Sequence, residues 1–326
     1  MRAIRLHRVE ALLAPWVRDL GMDGTRILRI ASLAGHLTTM GRAVADDAGD
    51  ISSTLTSANI DNLVVKGGAL MAALGLDPAI RGWGDVDLWV RPADAARVEQ
   101  ILLSHGWVRV AAGEHLPTLS GGMKTALLRR FVNENAYDHP TRTTIDLHWK
   151  LAADQREFCF DFDDAWSRRS TVTLGQSDVH TLCLDDALVH MSQHGRKEAW
   201  PSLRHLVDIV RIVDAIGPRR AAEIATEHVN VANAVLLASK IAPWMNDALP
   251  EVSGTQVALR DSAWAACLSL RNHRANYRAL VGADARRHRR RHDVWLWRSA
   301  PTWRTRVAWL MRRVTPQALL LHTNHR

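Results

Sequence analysis

Leu63-Val64-Val65-Lys66-Gly67-Gly68-Ala69-Leu70-Met71-Ala72-Ala73-Leu74 packs three different local signals into one short stretch. The apolar run predicts a strand, Lys66-Gly67-Gly68 a tight turn, and the Ala/Leu/Met run a helix. Between a strand and a helix, glycines let the backbone come close to a ligand, while the first helical amides and the helix dipole favour negative charge. Gly67 and Gly68 are therefore candidate phosphate-binding residues, and Lys66 and Arg81 can neutralise further phosphate charge.

Downstream, Asp85-Val86-Asp87-Leu88-Trp89-Val90 alternates and then turns apolar, as a strand does. Side chains two apart share a face, so Asp85 and Asp87 stand together while Val86 and Leu88 face the other way. Two carboxylates this close repel, and a shared divalent cation relieves the repulsion; oxygen ligands suit Mg2+ or Mn2+, which also accept phosphate oxygens. Thr144-Ile145-Asp146-Leu147-His148-Trp149 alternates likewise and puts Asp146 and His148 on one face. If the two strands are neighbours, Asp85, Asp87 and Asp146 converge, a trio able to hold two metal ions about 3.5–4 Å apart in a displacement at phosphorus. His148 can support that site from beside it.

Around this centre the chain alternates between helix and strand signals. Residues 2–55 predict two helices separated by Gly21-Met22-Asp23-Gly24. Arg91-Pro92-Ala93-Asp94 opens a helix reaching Ser104, Gly106 ends it, and Trp107-Val108-Arg109-Val110 predicts a strand. Residues 130–137 and 143–151 predict a hairpin across Asp138-His139-Pro140. From Leu184 onward helical periodicity dominates, over 185–195, 203–216, 219–245 and 257–279. The fold class expected is α+β, a mixed sheet with flanking helices and a largely helical C-terminal region. The divisions expected are a helical segment over 1–55, an α/β core over 56–183 and a helical region over 184–326. His190 and His194 sit four apart on a predicted helix, a spacing that presents both to one ligand. Met191 stands where H-E-x-x-H needs glutamate, which argues against metalloprotease chemistry and for a structural or substrate-contacting role. Asp208 can orient His190, His194 or His205.

In that order these signals resemble the nucleotidyltransferase superfamily with the DNA polymerase β-like core, and within it the branch of uncharacterised nucleotidyltransferases. The resemblance rests on Val65-Lys66-Gly67-Gly68-Ala69-Leu70, on Arg81 with Asp85-Val86-Asp87-Leu88, and on Ile145-Asp146-Leu147-His148-Trp149. It continues through Leu184-Asp185-Asp186-Ala187-Leu188-Val189-His190, His194-Gly195 and Leu206-Val207-Asp208-Ile209-Val210, covering roughly residues 60–215. It implies a nucleotidyltransferase-like sheet, metal binding by Asp85 and Asp87 with Asp146 as third acid, and a phosphate turn at Gly67 and Gly68. Many superfamily members have Gly-Ser where this chain has Gly67-Gly68, so a hydroxyl contact to phosphate is missing here.

The activity this implies is metal-dependent transfer of a nucleoside monophosphate from an NTP to an acceptor: a small molecule, a peptide or protein, or RNA. Phosphoryl transfer of the kinase type at the same site is the nearest alternative. A catalytically silent module binding nucleic acid or a membrane surface is the alternative of another class. That last reading, and RNA as partner, draw on the tail: residues 271–326 carry 14 arginines and no lysine against Asp284 and Asp293, so the formal charge of +8 is concentrated there. Trp295, Trp297, Trp303 and Trp309 lie among those arginines, offering backbone neutralisation and base stacking together. Cys159, Cys183 and Cys267 form no C-x-x-C pair, which excludes a cysteine zinc site and a disulfide framework and fits a reducing cytoplasm. No stretch predicts a signal peptide or membrane span.

Overall fold

A computed structural model describes residues 23–110, 133–152, 160–198, 200, 202–248 and, farther on, 294, 297, 298, 303, 306 and 307. The helices expected over 2–20 and 257–279, and most of the arginine- and tryptophan-rich tail, lie outside the described residues. The chain divides into two compact units, with breaks between Thr38 and Thr39 and between Cys183 and Leu184.

In the unit that starts at Thr39, the second part of helix α1 (Gly24–Ser57) leads into β1 (Asn62–Val65), α2 (Gly67–Ala73), a 3-10 turn (Pro78–Arg81), β2 (Asp85–Val90) and α3 (Ala95–Ser104). Then follow β3 (Val108–Arg109), β4 (Glu134–Asp138), β5 (Thr144–His148), α4 (Phe162–Arg168) and a hairpin of β6 (Ser170–Leu174) and β7 (Ser177–Thr181). Among the described residues the first five strands make one mixed sheet, ordered β1-β2-β5-β4-β3. Only β2 and β5 pair in parallel; the other neighbours are antiparallel. Strand alternation explains the core: Val64, Val86, Leu88, Ile145, Leu147 and Tyr137 join Val44, Ala48, Ile51 and Leu55 of α1 and Val98 and Leu102 of α3 in one buried cluster. The second half of α1 thus belongs with the sheet, and the helical segment does not close at residue 55. Asp47 of α1 accepts hydrogen bonds from Arg142 Nε and the Thr143 backbone, both at 2.7 Å, and so fixes the helix to the loop that starts β5.

The second unit, as described, holds α5 (Leu184–Lys197), α6 (Leu203–Ile216), α7 (Pro218–Glu227), α8 (Val229–Ala238) and a 3-10 turn (Pro243–Ala248). The single helix expected over 219–245 is broken at His228, whose extended backbone (φ −126°, ψ 97°) ends α7 and starts α8. Among the described residues no helix is long and apolar enough to cross a membrane.

Candidate functional site

Register assembles the acids. In the parallel β2–β5 pair Asp87 is the partner of Asp146 and Asp85 of Thr144, so the carboxylates of Asp85, Asp87 and Asp146 share one face of adjoining strands. On the flanking strands Val65 is the partner of Asp87, which delivers the next residue, Lys66, to the same region, and Glu134 is the partner of His148. Asp85 is exposed at the start of β2, whereas Asp87 is buried.

The side chains form a continuous polar chain. Lys66 Nζ lies 2.6 Å from Asp87 Oδ1, with the two side chains 11% and 10% exposed. His148 Nε2–H donates to the same oxygen at 2.9 Å, and His148 Nδ1 lies 3.1 Å from Glu134 Oε2. Burial disfavours a charged Asp87, yet Lys66 and His148 outweigh it and hold the carboxyl well below the usual carboxylate range. Burial likewise opposes charge on Lys66 and His148. The Asp87 carboxylate overcomes it for Lys66, and Asp87 together with Glu134 does so for His148, raising both. Asp146 has no such hydrogen-bond donor among the described residues. Burial first, then the Asp87 charge, with smaller contributions from Asp85 and Glu134, outweigh the opposing His148 charge and push it up to about 6.

The turn before α2 is explained by an indole. Gly67 has φ +47°, and a Cβ there would stand 2.3 Å from Trp83 Cε3; at Gly68 it would stand 2.4 Å from Trp83 Cζ2. Trp83 is held in place by its Nε1–H, which donates to Gly41 O of α1 at 2.9 Å. Lys66, at the N-cap of α2, has φ 61° and ψ −156°, a region that is nearly glycine's alone and costs a lysine roughly 1–3 kcal/mol. Its side chain, a donor only, makes no capping hydrogen bond to the first turn.

The sequence-predicted residues divide accordingly. Asp85, Asp87, Asp146 and His148 lie on one face of β2 and β5, and Lys66, Gly67 and Gly68 follow the end of β1 whose Val65 pairs with Asp87. Lys66 contacts the acid expected to bind metal. Arg81 is buried at the end of the 3-10 turn that precedes β2. His190 and His194 belong to the other unit, where their rings are 6.3 Å apart and His194 meets His205 edge-on at 5.5 Å. Glu134 and Trp83 are the residues that sequence reasoning missed. The alternation of Glu134-Asn135-Ala136-Tyr137-Asp138 carried the signal for Glu134, but without the hairpin register nothing tied it to His148.

A hard divalent cation fits this donor set chemically. The carboxylates of Asp85, Asp87 and Asp146 on adjoining strands are the hard oxygen donors it prefers. In this structure Asp87 Oδ1 is satisfied by Lys66 and His148, and among the described residues no three His, Cys, Asp or Glu side chains are grouped closely enough to hold a metal.

Among solved structures the chain is similar to an antigenic nucleotidyltransferase-like protein from Paracoccidioides brasiliensis, at 18% identity, covering 65% of this chain and 91% of that one, with a TM-score of 0.39. No curated protein matches. Residues 1–243 match a family described as uncharacterised nucleotidyltransferase. Since that match takes in both the acidic strands and the helices that follow them, the chain belongs to the uncharacterised nucleotidyltransferase family.

Proposed function

We propose that the protein is a metal-dependent nucleotidyltransferase that moves a nucleoside monophosphate from an NTP to an acceptor hydroxyl. The observation that carries this reading is the parallel register of β2 and β5, which sets Asp87 beside Asp146 with Asp85 two residues away. Mg2+ or Mn2+ bound by Asp85, Asp87 and Asp146 supplies Lewis-acid polarisation of the phosphoryl oxygens. The chain's own residues do the rest. The amides of Gly67 and Gly68, at a helix start without a side-chain cap, donate to the triphosphate. Asp146, beside Asp87 on the adjoining strand, accepts the acceptor's proton as its oxygen bonds to the α-phosphorus. The bond from that phosphorus to the bridging oxygen breaks and pyrophosphate leaves.

Calorimetric titration with non-hydrolysable ATP, GTP, CTP and UTP analogues, with and without Mg2+ or Mn2+, tests the donor site. Binding by wild type that needs the metal and is lost in Asp85→Asn supports the reading. Folded wild type that binds none of the analogues overturns it. Release of pyrophosphate rather than a nucleoside diphosphate separates nucleotidyl from phosphoryl transfer.

A further inference from the structure

We infer that Glu134 is a positioning residue for Asp87, acting through the His148 ring. The inference rests on the reading of Asp87 as a cation ligand and adds a residue to it. A terminal carboxylate turns easily about its last torsion. At Asp87 two donors on different strands, Lys66 Nζ at 2.6 Å and His148 Nε2 at 2.9 Å, converge on a single oxygen, Oδ1, and fix that rotation. The imidazole also needs fixing, since its own ring torsion is soft. Glu134 Oε2 supplies the second point of attachment as an ion-pair contact 3.1 Å from His148 Nδ1, a buried atom with no aligned hydrogen bond among the described residues. Asn133 Nδ2 donates to the same Glu134 oxygen at 2.7 Å, so the far end of the chain is anchored as well.

Backbone pairing makes this run from Asn133 to Lys66 a consequence of the sheet. Glu134 is the cross-strand partner of His148, and Val65, next to Lys66, is the partner of Asp87. Losing a group bonded directly to a cation ligand, as His148 is to Asp87, typically costs about 10–100-fold in affinity, and Glu134 stands one step behind it. Glu134 differs from the groups it orders in being 38% exposed, so the fold depends on it little and its substitution reads out orientation.

The test uses the full chain and Mn2+ alone as probe, with bound ion measured by electron paramagnetic resonance for wild type, Glu134→Gln, His148→Gln, the double variant and Asp85→Asn. His148→Gln should weaken Mn2+ binding about 10–100-fold, and Glu134→Gln by part of that with the melting temperature unchanged. The double variant should be no weaker than His148→Gln alone, because a residue acting through the ring has nothing left to act on. Were Glu134 only a nearby negative charge, its loss would weaken binding equally in both backgrounds. Wild-type affinity in Glu134→Gln, or additive losses in the double variant, overturn the inference while leaving the cation site standing. Wild type that binds no Mn2+, or Asp85→Asn that binds as wild type does, overturns the cation reading itself and the inference with it. Should His148→Gln fail to fold, the His148 ring N–H resonance decides in its place: it should shift in Glu134→Gln, and an unmoved signal overturns the proposal.

Discussion

Lys66 is the residue whose role moved farthest between sequence and structure. From sequence it stands beside a glycine turn with charge to spare; in the fold it is nearly buried and lies against Asp87. A buried pair is weak evidence of net stabilisation, but breaking it from one side leaves an uncompensated charge, at a cost of about 3–5 kcal/mol. Lys66→Met should therefore lose about that much in urea denaturation, and Lys66→Met/Asp87→Asn should recover a large part of it. A double variant as unstable as the sum of both singles would contradict the coupling. Asp146 makes the complementary case. Its folded pKa, raised from 3.8 to about 6, means that its contribution to stability is complete below the unfolded value and is lost as pH rises through about 6. Asp146→Asn should accordingly melt higher than wild type at about pH 7.5 and show no advantage near pH 4. Mg2+ should raise the melting temperature of wild type at the higher pH and leave that of the variant unchanged. The acids themselves were legible in the alternation of Asp85, Asp87 and Asp146. Their cationic partners were not, because which lysine or histidine faces which acid is decided by pairing between β1, β2, β4 and β5.

Among the elements, the strand–turn–helix at residues 62–73 follows its composition closely, as do β2 and the β4–β5 hairpin. Strong apolar runs bounded by Gly and Pro specify both type and limits. Two elements behave otherwise. The expected helix over 219–245 is two helices that end at Ala238, ahead of the 3-10 turn opened by Pro243; the break at His228 precedes Val229-Asn230-Val231, residues of modest helix propensity. The β6–β7 hairpin turns at Gly175 (φ 60°) and carries few buried apolar residues, Leu174 and Val179 among them, so its period is faint in sequence. The glycine turn is a matter of packing as much as of ligand approach. Gly68→Ala should cost about 1–3 kcal/mol, the range for overfilling a packed site, because the new methyl meets the Trp83 indole. Trp83→Leu in the same chain should restore part of that loss, as read by thermal melting. If Gly68→Ala melts as wild type does, the indole is not what holds the turn to glycine.

At the level of the whole molecule, the break between Thr38 and Thr39 falls within α1, where periodicity runs on without interruption, so no sequence signal marks it. Residues 39–183 and the helices from Leu184 each bury their own side chains. Calorimetry should therefore record an unfolding enthalpy above the van't Hoff value, or two resolved transitions. The change from Asp146→Asn should appear in one transition only; a single two-state transition shifted as a whole would argue against independent units. The basic tail carries more positive charge than the chain's net +8, the rest of the chain being acidic, and contributes few described residues, of which Trp297 and Trp303 are exposed.

Trp83, Gly67 and Gly68 together constrain how this turn can diverge. One indole occupies the space of both missing side chains and is tied to Gly41 of α1. A serine at position 68 would bring its Cβ against the same indole as the Gly68→Ala methyl, at a similar cost. A smaller residue at position 83 would relieve that cost, so the two positions should drift as a pair.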